Sequence, residues 1–211
     1  MMTEQEVRQL LVELGASLFQ RGFSVGSAGN ISVRLEDGYL MTPTNSSLGR
    51  LNAESLSKLD KDWNHISGDR PSKEVFMHRA FMTARPQAGA IVHLHSTYAT
   101  AISCLADGTS DTPITPYTPY FVMRIGARLP IIRYYRPGNS AMENDIFEQA
   151  KTASAVLLAN HGPVVSGKTL TDAVYAAEEL EESARLALML QGKSARCLNA
   201  EEISDLLTTF K

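Results

Sequence analysis

Segments with a helical repeat and segments with a strand repeat alternate along the whole chain, which restricts the fold to helices layered around a sheet. Thr3 followed by Glu6 forms a capping box, after which Val7, Leu10, Leu11, Leu14 and Leu18 recur at helical spacing as far as Gly22. Ile31, Val33 and Leu35 then alternate, Asp37-Gly38 supplies a turn and Tyr39-Leu40-Met41 returns, which predicts a β-hairpin. Pro71-Ser72-Lys73-Glu74 leads into Val75, Phe76, Ala80 and Phe81, with Pro86 closing the segment, so a helix is predicted to start near Ser72 with Glu74 in its first turn. The apolar run from Ala88 to Leu94 predicts a buried strand ending in His95, followed by a helix from Thr97 to about Ala106. Three prolines make Thr112 to Tyr120 a loop, Ile131 and Ile132 suggest a strand, and Ser140 to Thr152 a helix. Ala155 to Ala159 runs into Asn160-His161-Gly162-Pro163 and then Val164 to Gly167: a strand, a sharp turn and a second strand. Leu170 to Leu190 is the longest helical repeat, and Asn199 with Glu202 caps a final short helix.

No internal repeat or linker interrupts this pattern, and 211 residues suit a single domain over 1–211. A chain of this size buries about 70% of its unfolded surface and needs no covalent staples. Lys and Arg number 20 against 23 Asp and Glu, with the signs interspersed, which argues against a nucleic-acid binder or a polybasic membrane anchor. Cys104 and Cys197 are too few for a disulfide framework or a cysteine-based zinc module. The acidic start and the lack of a long apolar run predict a soluble, cytoplasmic protein without a membrane span.

The residues able to carry chemistry are few. On a strand of period two, His93 and His95 face the same way while Leu94 faces the core, so both imidazoles could reach one ion at the usual zinc distance of about 2.0–2.1 Å. Two histidines that only hydrogen-bond at a strand end are the plain alternative. His161 favours the metal, because it too ends an apolar strand, where side chains of layered α/β folds converge on a crevice. His65 sits in a polar loop and reads as a surface or turn residue; His78, four residues after Glu74 on a helix, could serve as a ligand but reads better as a satisfied histidine beside the core. Glu74 is either a carboxylate complementing a helix dipole or an acid/base group beside the ion. Gly26 to Asn30, Thr42 to Ser47, and Ser72-Lys73 are each suited to cradling an anion, and each is also an ordinary turn. No Walker-type or dinucleotide-binding glycine motif is present.

Taken together, Gly29-Asn30-Ile31-Ser32-Val33-Arg34, Thr42-Pro43-Thr44, Pro71-Ser72-Lys73-Glu74, His93-Leu94-His95 and Asn160-His161-Gly162 resemble, in order and spacing, the class II aldolase/adducin family of fuculose-phosphate aldolase. The resemblance runs from about residue 5 to residue 190. It implies a three-layer α/β/α fold around a central, mainly antiparallel sheet, and a homotetramer with sites at subunit interfaces. It also implies Zn²⁺ on His93, His95 and His161, with Glu74 as resting fourth ligand and catalytic acid/base; Mn²⁺ and Co²⁺ suit the same ligands. Ser27, Asn30, Thr44, Asn45, Ser72 and Lys73 would hold a substrate phosphate, and Tyr120, donated by a neighbouring subunit, would be a second catalytic group. Adducin head domains share the fold without the metal ligands.

Lys73 and Asn45 replace a serine and a glycine of the aldolase pattern, and with Thr118-Pro119-Tyr120-Phe121 and Tyr134-Tyr135-Arg136-Pro137-Gly138 they resemble the 3-oxo-tetronate 4-phosphate decarboxylase branch. The activity this implies is conversion of a 3-oxo-tetronate 4-phosphate to dihydroxyacetone phosphate and CO₂ through a metal-stabilised enediolate. The alternative is an aldolase cleaving a fuculose 1-phosphate-like sugar to dihydroxyacetone phosphate and an aldehyde. Lys73, Arg124 and Arg136 are the cations that could meet the leaving carboxylate. A metal hydrolase would use the same histidines but has no need of several phosphate loops, and a binding module has no need of the histidines.

Overall fold

The computed structural model describes residues 2–105 and 113–210. In chain order the helices are α1 (Glu4–Gln20), α2 (Val75–Ala84), α3 (Thr97–Leu105), α4 (Pro119–Arg124), α5 (Met142–Ala150), α6 (Leu170–Leu190) and α7 (Ala200–Thr209). The strands are β1 (Asn30–Arg34), β2 (Tyr39–Met41), β3 (Ser57–Leu59), β4 (His65–Ser67), β5 (Ala90–His93), β6 (Ile131–Ile132), β7 (Ala155–Leu158) and β8 (Gly162–Gly167). They form one sheet of order β4-β3-β2-β1-β5-β8-β7-β6, antiparallel throughout except for the β6–β7 pair.

Helices cover both faces, so the sheet is the middle of three layers. On one face Ile31, Val33, Ala90, Val92, Leu157 and Val165 pack with α1, α3, α4 and α6. On the other, Ile91, Val156, Leu158 and Val164 pack with α2 and α5. This two-sided cover explains why β5 and β7 are continuous apolar runs rather than alternating ones. In α1 the expected capping box is present, Thr3 Oγ1 accepting from the Glu6 N–H and the Glu6 carboxylate from the Thr3 N–H. Its Leu11 and Leu18 are fully buried, each contributing about 2 kcal/mol of apolar burial. No helix among the described residues is long and apolar enough to cross a membrane.

Four local expectations are corrected. The helix expected from Ser72 begins at Val75, so Glu74 is its N-cap residue and not part of the first turn. Ser72 to Glu74 form a turn instead, in which Ser72 Oγ accepts from the Glu74 N–H at 3.2 Å. The strand expected to end in His95 ends at His93. Within the proline-rich stretch expected to be a loop, Pro119 and Tyr120 open α4: Thr118 is the N-cap, its hydroxyl accepting from the Phe121 N–H, and Pro119 occupies the first turn, where its missing N–H costs nothing. His65, expected in a loop, lies on the exposed edge strand β4. Ala106 and Thr112, bounds of the expected helix and loop, lie outside the described residues.

Candidate active site

Three strand ends and one helix start converge on the α2 side of the sheet. Asn30 of β1 lies directly opposite His93 of β5 in the antiparallel ladder, so both side chains leave the same face. His93 in turn pairs with Val164 of β8, which brings the β7–β8 turn carrying His161 alongside. This close approach requires glycine. At Gly162, with φ 154°, a Cβ would lie 2.3 Å from the Leu94 carbonyl oxygen, and at Gly29, with φ 79°, one would lie 2.8 Å from that of His93. Thr100 of α3 steadies the turn by donating its hydroxyl to the His161 carbonyl at 3.2 Å. His95, just past the end of β5, precedes α3, whose Tyr98 and Ala99 N–H groups both donate to the buried Glu181 carboxylate of α6 at 2.8 Å.

The three imidazoles meet through their Nε2 atoms, 3.1 Å between His95 and His93 and 3.0 Å between His161 and His95. His93 Nδ1 lies 2.9 Å from the Pro163 carbonyl oxygen, which can only accept. That bond places the proton on Nδ1 and turns the Nε2 lone pair toward the other two rings. Burial, reinforced by His161 and His95, holds His93 well below the ordinary histidine pKa. Burial likewise lowers His95, with His161 adding to it, and lowers His161 against the opposing pull of Glu74. Neutral imidazoles aimed at a common point are mutually unfavourable unless a proton or cation lies between them. The residues therefore fit a divalent ion, their donor atoms all lying within 4.8 Å of one another.

Glu74 closes the fourth side, with Oε2 3.6 Å from His93 Nε2 and Oε1 3.6 Å from His161 Nε2. Asn30 Nδ2 donates to Oε2 at 2.9 Å. Beside the carboxylate is a cavity of about 260 Å³ lined by Ser27, Asn30, Thr44, Asn45, Ser72 and Lys73, together with Glu74, His95, Pro137 and Gly138. A bridge between Pro43 and Pro71, and the Thr44 N–H to Arg70 carbonyl bond at 2.9 Å, tie the two polar loops together. All six residues expected to hold a phosphate thus line one cavity with Glu74 and with His95 of the histidine cluster.

Other expected residues fall elsewhere. Tyr120 is 61% exposed on α4 and lies outside this cavity. Arg124 is 3.6 Å from Asp172 and lines a different cavity, whereas Arg136 is exposed and precedes Pro137, which lines the first. His65 is exposed and its Nε2 lies 3.0 Å from the Ser67 carbonyl oxygen. His78 is fully buried between Ser32 and Asn30. The sequence reading missed Ser32, Thr100 and Glu181; each acts through a partner remote in the chain, and none carries a local signal.

The chain matches the family model described as Class II Aldolase and Adducin N-terminal domain over residues 9–188. It belongs to the class II aldolase and adducin family. A relative from Haemophilus influenzae named 3-oxo-tetronate 4-phosphate decarboxylase is 50% identical over 206 residues, covering 97% of this chain and 98% of that protein. The L-fuculose phosphate aldolase of Haemophilus influenzae is 30% identical, covering 99% and 95%. Among solved structures, YgbL of Klebsiella pneumoniae superposes with a TM-score of 0.94 at 48% identity, covering 98% of this chain and all of that one. Class II aldolases are metal-dependent, and in this member of the family the three-histidine cluster is the group suited to the ion.

Proposed function

We propose that this chain is a metal-dependent lyase that converts a 3-oxo-tetronate 4-phosphate to dihydroxyacetone phosphate and CO₂. The observation that carries the proposal is one cavity whose walls combine a hydroxyl- and amide-rich anion cradle, a lysine, a carboxylate and His95, itself one of three convergent imidazoles. The 50% identity to a decarboxylase of that name supports the same substrate class. His93, His95 and His161 would hold the divalent ion, zinc being well suited to imidazole ligands, with Glu74 as a fourth ligand before substrate arrives. When bound, the ion supplies a Lewis acid for the charge that collects on the substrate oxygens as the bond between the carboxylate and C2 breaks.

The chain's own residues supply the rest. Ser27, Asn30, Thr44, Asn45, Ser72 and Lys73 grip the phosphate end and fix which bond lies over the imidazoles, so binding energy goes into orientation. Glu74 Oε2 is engaged by Asn30, which leaves Oε1 as the atom that carries the proton taken up at C2 once CO₂ has left. Tyr120 is the second group able to carry that proton, brought by a neighbouring subunit of a homotetramer; its exposure on α4 and its distance from its own cavity support that role. A cytoplasmic location belongs to the same reading, because a phosphorylated substrate does not cross membranes unaided.

The decisive experiment incubates the protein with the oxo-acid phosphate and, separately, with fuculose 1-phosphate, and assays CO₂ against aldehyde. Release of CO₂ with dihydroxyacetone phosphate, abolished by a chelator and restored by zinc, is the expected result. Aldehyde without CO₂, or activity indifferent to the chelator, would sink it. Glu74→Gln retaining nearly full turnover with metal bound would remove the acid/base role.

A further inference from the structure

Behind the site lie two buried polar side chains, Ser32 and His78, that none of the proposed chemistry uses. Ser32 and Asn30 are two residues apart on β1 and both face α2. His78, one helical turn after Glu74 and fully buried, fills the space between them. Its Nδ1 is 2.7 Å from Ser32 Oγ, and its Nε2 is hydrogen-bonded to Asn30 Oδ1. Asn30 then reaches Glu74 Oε2 through Nδ2. A polar line from Ser32 to the active carboxylate therefore crosses the buried interface between the sheet and α2.

The direction of every proton in this line follows from its end. A carboxylate only accepts, so Asn30 must present its N–H₂ to Glu74 and its carbonyl oxygen to His78. That oxygen needs a donor, so His78 carries its proton on Nε2. Its Nδ1 is then a lone pair, which Ser32 must satisfy with its hydroxyl proton. Reversing any member leaves two acceptors or two donors facing each other in a buried place, at about 1–3 kcal/mol per unsatisfied group. Burial, with the neighbouring His93 adding to it, pushes the His78 pKa down to about 3, so the ring remains a single-donor, single-acceptor element at neutral pH.

We propose that His78 and Ser32 are positioning residues that fix the Asn30 amide so that its N–H groups, and not its carbonyl oxygen, face both the Glu74 carboxylate and the anionic end of the substrate. Asn30 carries two such protons: one is spent on Oε2, and the other would meet the substrate in the cavity that Asn30 lines. With the amide reversed, its oxygen would stand against the carboxylate and the phosphate together. The inference rests on the proposed role of Glu74 and of the cradle.

The test has a readout independent of turnover. In protein labelled with ¹⁵N-histidine, long-range imidazole ¹H–¹⁵N correlation at pH 7 is expected to show His78 neutral with the proton on Nε2, in metal-free and zinc-loaded protein alike. An Nδ1–H tautomer overturns the proposal whatever the enzyme assay gives. His78→Gln keeps an N–H near the Nε2 position, whereas His78→Leu keeps the bulk and removes the donor. The leucine variant is expected to lose about 10- to 100-fold in zinc affinity, measured by competition with a chromophoric chelator, or in kcat/KM, and the glutamine variant to recover most of it. In an Asn30→Ala background His78→Leu should cost nothing further. Equal losses in the glutamine and leucine variants, or full additivity with Asn30→Ala, overturn the proposal. Should the wild type release no CO₂, the functional reading falls, while tautomer and zinc affinity still decide this inference.

Discussion

Replacing Glu181 by alanine tests whether the His95 segment is anchored from α6. Glu181 is 7% exposed and accepts from the N–H groups of Tyr98 and Ala99, both at 2.8 Å, in the first turn of α3. These two donors have no partner inside the helix. A hydrogen bond to a charged group contributes about 1.5–3 kcal/mol, and the helix dipole favours the carboxylate there by a few tenths more. Water entering the space left by the side chain recovers part of this, so Glu181→Ala is expected to lower stability by about 3–5 kcal/mol. At roughly 2–4 °C per kcal/mol for a chain of this size, the melting temperature falls on the order of 10 °C. Glu181→Gln keeps one acceptor but turns an amino group toward the other N–H, and should lose roughly half as much. Urea unfolding followed by circular dichroism measures both losses. A loss below about 1 kcal/mol for the alanine variant, or an equal loss for the two variants, would refute the anchoring.

Three further outcomes are expected. Above pH 6.5 His78 is neutral in the folded and unfolded chain alike; as pH falls below 6.5 the unfolded chain takes up a proton that the folded one, with His78 at about 3, refuses. At roughly 1.4 kcal/mol per unit, wild-type stability should fall by about 2 kcal/mol relative to His78→Gln between pH 7 and pH 5 in urea titrations of metal-free protein, and parallel curves would contradict this. Gly162→Ala forces a Cβ to 2.3 Å from the Leu94 carbonyl oxygen at a φ of 154°; strain and displacement together should cost about 3 kcal/mol and weaken zinc binding, and a wild-type melting curve would rule out the close approach. Lys73 lines the cavity and makes no hydrogen bond or ion pair with the described residues, so Lys73→Ala should raise KM for a phosphorylated substrate by about tenfold without changing thermal stability; an unchanged KM would exclude it from the cradle.

The corrections, and the strand β3 that no local signal marks, follow a pattern. Lys58 and Ser57 conceal β3 because they are polar, yet both are buried: the Lys58 ammonium lies 2.8 Å from Glu4 and 2.6 Å from Asp37, and Ser57 Oγ donates to the Asp69 carbonyl at 2.6 Å. Only chain-distant partners make such a strand viable. The start of α4 was legible: Thr118 followed by Pro119 is an N-cap and first-turn proline, outweighed in the reading by the density of prolines. Glu74 shifted from first turn to N-cap because Ser72 and Lys73 form a turn held by the neighbouring loop through Pro43 and Pro71.

What the sequence determined by itself was the layered class, from apolar periods of two and 3.6 residues; His93, His95, His161 and Glu74 each kept a plainer reading as single residues, and only the order and spacing of five motifs singled them out as candidates. What only the tertiary structure decided was which atoms face which. The pairing of Asn30 with His93, the lone-pair direction of His93 set by Pro163, and the line from Ser32 through His78 to Glu74 all depend on strand register and on groups about 44 to 70 residues apart. Local sequence cannot encode these contacts, because a hydrogen bond fixes a proton only when both partners are already held in place.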